Sequence, residues 1–210
     1  MGAPSGTVTF LFTDIEGSTQ LWQLDEAAMG LAVSRHDELL RATILECGGA
    51  VFSTMGDGFA AAFTSAHAAL RAAELAQERL TKEDWSTAEP VRVRMGLHTG
   101  EAEERHGDYF GTAVNRAARL MAVGHGGQIL CSSATAELLD GDVVMVDLGE
   151  HRLRDLDRSL RVFQIGEGRF PPLRSWGGFP GNLRAPPTSF VGRAAELAEV
   201  VSLVQAHRSG

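Results

Sequence analysis

Apolar and polar positions along this chain fall into short, separated patterns. Residues 7–14, TVTFLFTD, are β-branched and aromatic with little polar interruption, which predicts a buried strand. The following IEGST predicts a turn into a helix. Over 26–47, Met29, Ala32, Val33, Leu39, Leu40 and Ile44 recur close to helical spacing, and Gly48-Gly49 ends that helix. VFSTMGDGFAAAF at 51–63 predicts a hairpin, because Gly-Asp-Gly suits the positive φ values of a tight turn. Ser65 fits the N-cap of an Ala-rich helix over about 65–81. VRVRMGLHTG (91–100) alternates like a strand with one solvated face. A helix over about 112–123 follows Gly111. A strand over 127–133 with a short helix behind it, and strands over 143–147 and 161–166, complete the pattern.

The order β-α-β-β-α-β, then α-β and further strands, predicts an α+β fold. It is a ferredoxin-like sandwich with additional C-terminal strands, and the domain spans 1–167. Beyond it the periodicity is lost. GRFPPLRSWGGFPGNLRAPPTSF holds five of the seven prolines, so 168–190 is expected to be an extended linker. Residues 191–210 then read as one amphipathic helix, too short to form a core and expected to begin a further module.

Composition narrows the function without fixing it. The 210 residues are 44% hydrophobic and 22% charged, which is ordinary for a globular protein. A net charge of −8 argues against a broad nucleic-acid face, but not against a small phosphate ligand in a pocket with local arginines and a divalent cation. Cys47 and Cys131 lie in apolar context and read as free thiols. No apolar run approaches the roughly 18 residues that span a bilayer, so a cytoplasmic protein with no membrane partner is expected.

Three features carry candidate chemistry. Asp14 ends the first strand and Asp57 sits at the hairpin tip, neighbouring positions in a ferredoxin-like sheet. Two adjacent carboxylates with no obvious basic partner in sequence are costly unless a cation separates them, and Mg²⁺ or Mn²⁺ is the natural occupant. The alternative is that Asp14 caps the next helix and Asp57 merely makes a turn. IEGST presents backbone N–H groups that can cradle phosphate, or is an ordinary strand-to-helix turn. NRAAR places Asn115 and Arg119 at i and i+4, where amide and guanidinium can grip a ribose and a phosphate, or simply form a solvated helix face. Arg116 reads as pointing elsewhere.

FLFTDIEGST, TMGDGF, GLHTGE and GDYFGTAVNRAARL, in this order and at these separations, resemble the catalytic domain of class III nucleotidyl cyclases, closest to a bacterial subgroup with a short dimerisation arm. The likeness covers roughly 5–166. It implies that Asp14 and Asp57, with the Ile15 carbonyl, bind two metal ions. The 3′-hydroxyl of ATP would then attack the α-phosphorus, giving 3′,5′-cyclic AMP and pyrophosphate. The turn Ile15, Glu16, Gly17, Ser18 and Thr19 is expected to hold the substrate's phosphates, and by the resemblance Asn115 orients the ribose. Arg119 neutralises transition-state charge, and Arg154 stands where a triphosphate-binding lysine is common. The site is shared in a homodimer, with the aspartates from one subunit and Asn115 and Arg119 from the other.

Adenine selection in that family uses a lysine four residues before the second metal aspartate and an aspartate seven before the asparagine. Asp108 fills the second place, while Ser53 stands in the first. Losing a charge-assisted hydrogen bond costs about 1.5–3 kcal/mol. Guanine selection would favour glutamate at 53 and a small residue at 108, so adenine remains the better match, with relaxed selection. The expected function is an adenylyl cyclase. The alternative is a weakly active or inactive ATP-binding regulatory module, while a polymerase-like transferase lacks a basic template groove. NLRAPPTSFVGRAAELAEV resembles the entry to a signal-transduction ATPase module, a partner expected in a longer protein.

Overall fold

The structure is a computed structural model and describes residues 4–139, 141 and 143–175. It contains, among these residues, strands β1 (Gly6–Ile15), β2 (Ala50–Met55), β3 (Gly58–Phe63), β4 (Val93–Arg105), β5 (Asp108–Phe110), β6 (Ile129–Ser132), β7 (Met145–His151) and β8 (Leu160–Ile165). The helices are α1 (Ser18–Leu24), α2 (Glu26–Glu46), α3 (Ala66–Lys82), α4 (Thr112–Ala122) and α5 (Ser133–Ala136). The strands form one sheet in the order β2-β3-β1-β4-β6-β8-β7, with β5 paired to β4. Its first four strands have the ferredoxin-like order, and β6, β8 and β7 extend the sheet beyond β4. Every pairing is antiparallel except β4 with β6.

The unbroken apolar run in β1 is explained by burial of both faces. Leu11 and Ile15 point into a core shared with Met29, Leu40 and Ile44 of α2 and with Ala69, Ala73 and Leu80 of α3. Val8, Phe10 and Phe12 point to the other side, where Ala113 and Ala117 of α4 and Tyr109 of β5 cover them. Glycine spacing in β4 sets how close α4 comes. A Cβ at Gly96 would stand 2.6 Å from the backbone nitrogen of Met121, and one at Gly100 would meet the Ala113 Cβ at 3.0 Å. The helix therefore rests directly on strand backbone.

Several boundaries differ from the sequence pattern for local reasons. Asp25 interrupts the helical region: its Oδ1 accepts from Ala28 N at 2.9 Å and starts α2 separately from α1. Ser65 occupies the cap position of α3 but makes no side-chain capping bond. β4 runs five residues past Gly100 and turns through His106 (φ 56°) and Gly107 (φ 84°) into β5, a hairpin masked by its exposed, charged composition. Residues 171–175, within the expected linker, have no regular structure yet pack on the domain. Leu173 is buried among Leu120, Val123 and Leu153, Arg174 N donates to Val123 O at 3.0 Å, and Ser175 Oγ lies 2.7 Å from His151 Nδ1. Residues 176–190 of that linker and the helix expected over 191–210 lie outside the described residues.

Candidate active site

The end of β1 and the β2–β3 turn meet because strand register leaves them no alternative. Thr13 pairs with Phe59, and Phe59 N donates to Thr13 Oγ1 at 3.1 Å. Gly56 takes φ 63°, and a Cβ at Gly58 would stand 2.7 Å from Thr13 O. This close approach sets the Asp57 carboxylate beside Asp14. Burial pushes the Asp14 carboxyl above its usual range, Arg94 opposes that shift, and the negative charge of Asp57 adds to it. Asp57 Oδ2 is buried and has no hydrogen-bond partner among the described residues. A carboxylate oxygen without a donor, beside a second carboxylate, is the environment a hard cation satisfies.

The expectation that neither carboxylate has a basic partner is corrected. Arg94 lies directly opposite Asp14 on β4, and its Nε and Nη2 both donate to Asp14 Oδ2, the first at 3.0 Å. Its Nη1 donates to Ala122 O at the end of α4 at 3.0 Å, tying the helix to the carboxylate. Arg94 escaped the sequence reading because 80 residues separate it from Asp14. The strand alternation of VRVR was the available signal, since it puts Arg92 and Arg94 on one face.

The turn after Asp14 has divided roles. Ile15 is buried. Gly17 takes the left-handed conformation (φ 71°, ψ 20°) and starts α1, leaving Ser18 and Thr19 in the first turn, where N–H groups have no intrahelical acceptor. Glu16 turns to the domain instead. Its Oε2 accepts from Gly126 N at 2.9 Å, and its Oε1 pairs with Arg174 and lies 3.7 Å from His125 Nδ1. Burial alone would raise the Glu16 carboxyl, but the Gly126 N–H and the Arg174 guanidinium outweigh it and hold it below its usual range.

A second cluster forms where α4 meets the 152–158 loop. Asn115 is exposed, and Arg119 is half-buried with Nη2 2.8 Å from Asp155 Oδ2. Arg119 Nε is buried without a partner among the described residues. Arg154 Nε lies 3.7 Å from the same Asp155 oxygen. A cavity of about 190 Å³ is lined by Asn115, Arg116, Asp155 and Arg158 among others, so Arg116 faces this region rather than away from it. No hydrogen bond or ion pair among the described residues joins this cluster to Asp14 and Asp57.

Ser53 is half-buried on β2 opposite Ala60, just past a bulge at Phe52. Asp108 is exposed on β5, with Oδ1 accepting from Tyr109 N at 2.8 Å. The adjoining rings of Phe52 and Tyr109 pack edge to face at 4.9 Å, so the strands that carry Ser53 and Asp108 abut. Among the described residues no helix is long and apolar enough to cross a membrane.

Comparison with known proteins gives the family and the fold. A family model described as the adenylate and guanylate cyclase catalytic domain matches residues 2–166. The uncharacterized protein Rv0891c of Mycobacterium tuberculosis is 41% identical over 206 residues, covering 93% of this chain and 70% of that protein. An adenylate cyclase of Neurospora crassa is 38% identical over 155 residues, covering 62% of this chain but 7% of its own length. Among solved structures, an adenylate cyclase of Trypanosoma brucei in its monomeric state superposes with a TM-score of 0.77 at 28% identity, covering 82% of this chain and 95% of that one. An adenylate/guanylate cyclase/hydrolase of Silicibacter pomeroyi gives 0.71 at 30% identity, covering 80% and 100%.

Proposed function

The chain belongs to the adenylate and guanylate cyclase catalytic domain family, and we propose that it is an adenylyl cyclase, converting ATP to 3′,5′-cyclic AMP and pyrophosphate. The observation that carries the reading is the Asp14–Asp57 pair, with one Asp57 oxygen buried and unpartnered. Two Mg²⁺ or Mn²⁺ ions held by Asp14, Asp57 and the Ile15 carbonyl would acidify the ribose 3′-hydroxyl and neutralise the phosphates. The 3′-oxygen forms its bond to the α-phosphorus while the bond to the β-bridging oxygen breaks, and the hydroxyl proton passes to solvent.

The protein's own groups supply position and charge. Asn115 holds the ribose. Arg119 meets the charge that grows on the α-phosphoryl group, and Arg154 the remaining phosphates. Gly17 shapes a turn whose Ser18 and Thr19 face the triphosphate. Asp108 accepts from the exocyclic amine of adenine, and Ser53 donates one hydrogen bond to the ring. No hydrogen bond or ion pair among the described residues joins Asp14 and Asp57 to Asn115 and Arg119, which suits a homodimer in which each site takes one cluster from each subunit. Met55 beside the Asp57 turn and Phe110 beside Asp108 are exposed apolar side chains suited to such a contact.

Ser53 favours a second reading, an ATP-binding regulatory module with little turnover. Product formation from ATP and from GTP with Mn²⁺, beside an Asp57→Ala control, separates the two. Cyclic AMP that vanishes in the control is the expected result. Bound ATP without cyclic product would favour the regulatory module, and equal cyclisation of GTP would overturn adenine preference.

A further inference from the structure

Asp155 stands between the two guanidinium groups assigned to phosphate. Its Oδ2 is 2.8 Å from Arg119 Nη2 and 3.7 Å from Arg154 Nε. Its backbone is left-handed at φ 58°, which non-glycine residues seldom adopt and for which Asp and Asn are the commonest exceptions. That conformation aims the side chain of a loop residue back at α4. Around it, Arg116 and Arg158 line the adjoining cavity with Asp155 and Asp157, so together with Arg119 and Arg154, which lie near Asp155, four arginines gather about two carboxylates. The excess is positive, and one carboxylate cannot satisfy it.

We propose that Asp155 is an internal anion that occupies the place of a nucleotide phosphate between Arg119 and Arg154, and that the triphosphate must displace it. The inference rests on the reading of Arg119 as a phosphate-facing group. The physical case is one of competing anions. Asp155 brings a single charge, and its carboxylate touches only one of the two guanidiniums within hydrogen-bonding distance. A phosphate brings three acceptor oxygens and more charge, matched to two planar donors at once. The Asp155–Arg119 pair is open to water, with side chains 55% and 37% exposed, and pairs so placed are weak. It is strong enough to park Arg119 and weak enough for a polyanion to replace it. Arg119 Nε, buried and without a partner among the described residues, marks the arginine as incompletely satisfied in this arrangement.

Asp155→Asn tests this cleanly, because asparagine keeps the shape and tolerates the left-handed backbone while removing the charge. Inorganic tripolyphosphate is the probe, titrated into the full chain and followed calorimetrically, with Arg119→Ala as a control. Both arginines and Asp155 lie in one chain, so the measurement needs neither turnover nor a shared site. Asp155→Asn is expected to bind tripolyphosphate roughly three- to tenfold more tightly and to lower the KM for ATP by a similar factor. Arg119→Ala is expected to abolish the difference. Unchanged or weaker tripolyphosphate binding in Asp155→Asn would overturn the proposal. So would a fall in kcat at constant KM, which would make Asp155 a positioning residue for Arg119. Tighter tripolyphosphate binding in a protein that forms no cyclic nucleotide would uphold the proposal and reject the cyclase reading instead.

Discussion

His98 shows how a residue in a motif can serve the fold rather than the chemistry. It is buried on β4, and its Nδ1 lies 2.7 Å from Ser132 Oγ. Burial, with a contribution from the Arg116 charge, pushes it down from 6.5 to about 4. The folded protein therefore keeps His98 neutral where the unfolded chain would take a proton. Stability from this group is complete above 6.5 and declines as pH falls towards 4, a loss of about 2 kcal/mol between pH 7 and pH 5. His36, also lowered by burial, adds to the slope with the same sign. Urea unfolding of His98→Asn at pH 7 and pH 5 is expected to show a smaller drop in midpoint than the parent. An equal drop would assign the pH dependence to other groups. At this scale the aspartates were readable, since a strand end and a hairpin tip are local features. Arg94 was not, because a cross-strand partner 80 residues away leaves no mark beside Asp14.

The placement of Asn115 and Arg119 is decided by how one element lies on another. Helix α4 owes its position to glycines in β4, above all Gly96, whose missing Cβ leaves room for the Met121 backbone. Gly96→Ala is expected to push α4 outward, costing about 1–3 kcal/mol of stability and lowering kcat more than KM. Thermal unfolding and steady-state kinetics measure the two effects together, and a variant of parental stability with parental kcat would show that the contact is slack. The helical spacing of NRAAR was visible in the sequence, but its seat was not. Glycines in GLHTG read equally well as strand interruptions or as close contacts until the partner backbone is known. The β4–β5 hairpin escaped for a related reason. Its stabilising contacts are backbone pairs and the buried Tyr109, while the rest of its surface is mostly charged apart from the exposed Phe110.

A shared active site is a property of the whole molecule, and mixing tests it. Asp57→Ala and Arg119→Ala subunits each lack one half of the site. If sites are shared in a homodimer, equal mixing makes about half the dimers mixed, each with one intact site, so activity near a quarter of the parent's is expected from two inactive proteins. Persistent inactivity, in mixtures that light scattering shows to have exchanged subunits, would place both clusters of each site in a single chain. Local signals in the chain were enough for the ferredoxin-like class, the four strands of its core, the candidate carboxylates Asp14 and Asp57 and the helical Asn115–Arg119 pair, because periodicity, turn chemistry and i,i+4 spacing are local, while β5 and the break between α1 and α2 were not among them. Only the folded chain shows the Arg94 partner of Asp14, the diversion of Glu16 to Gly126 and Arg174, the docking of Leu173, and the seat of Asp155 against Arg119. Each of these joins residues that only strand register and loop packing bring within a few ångströms, and no spacing along the chain encodes that distance.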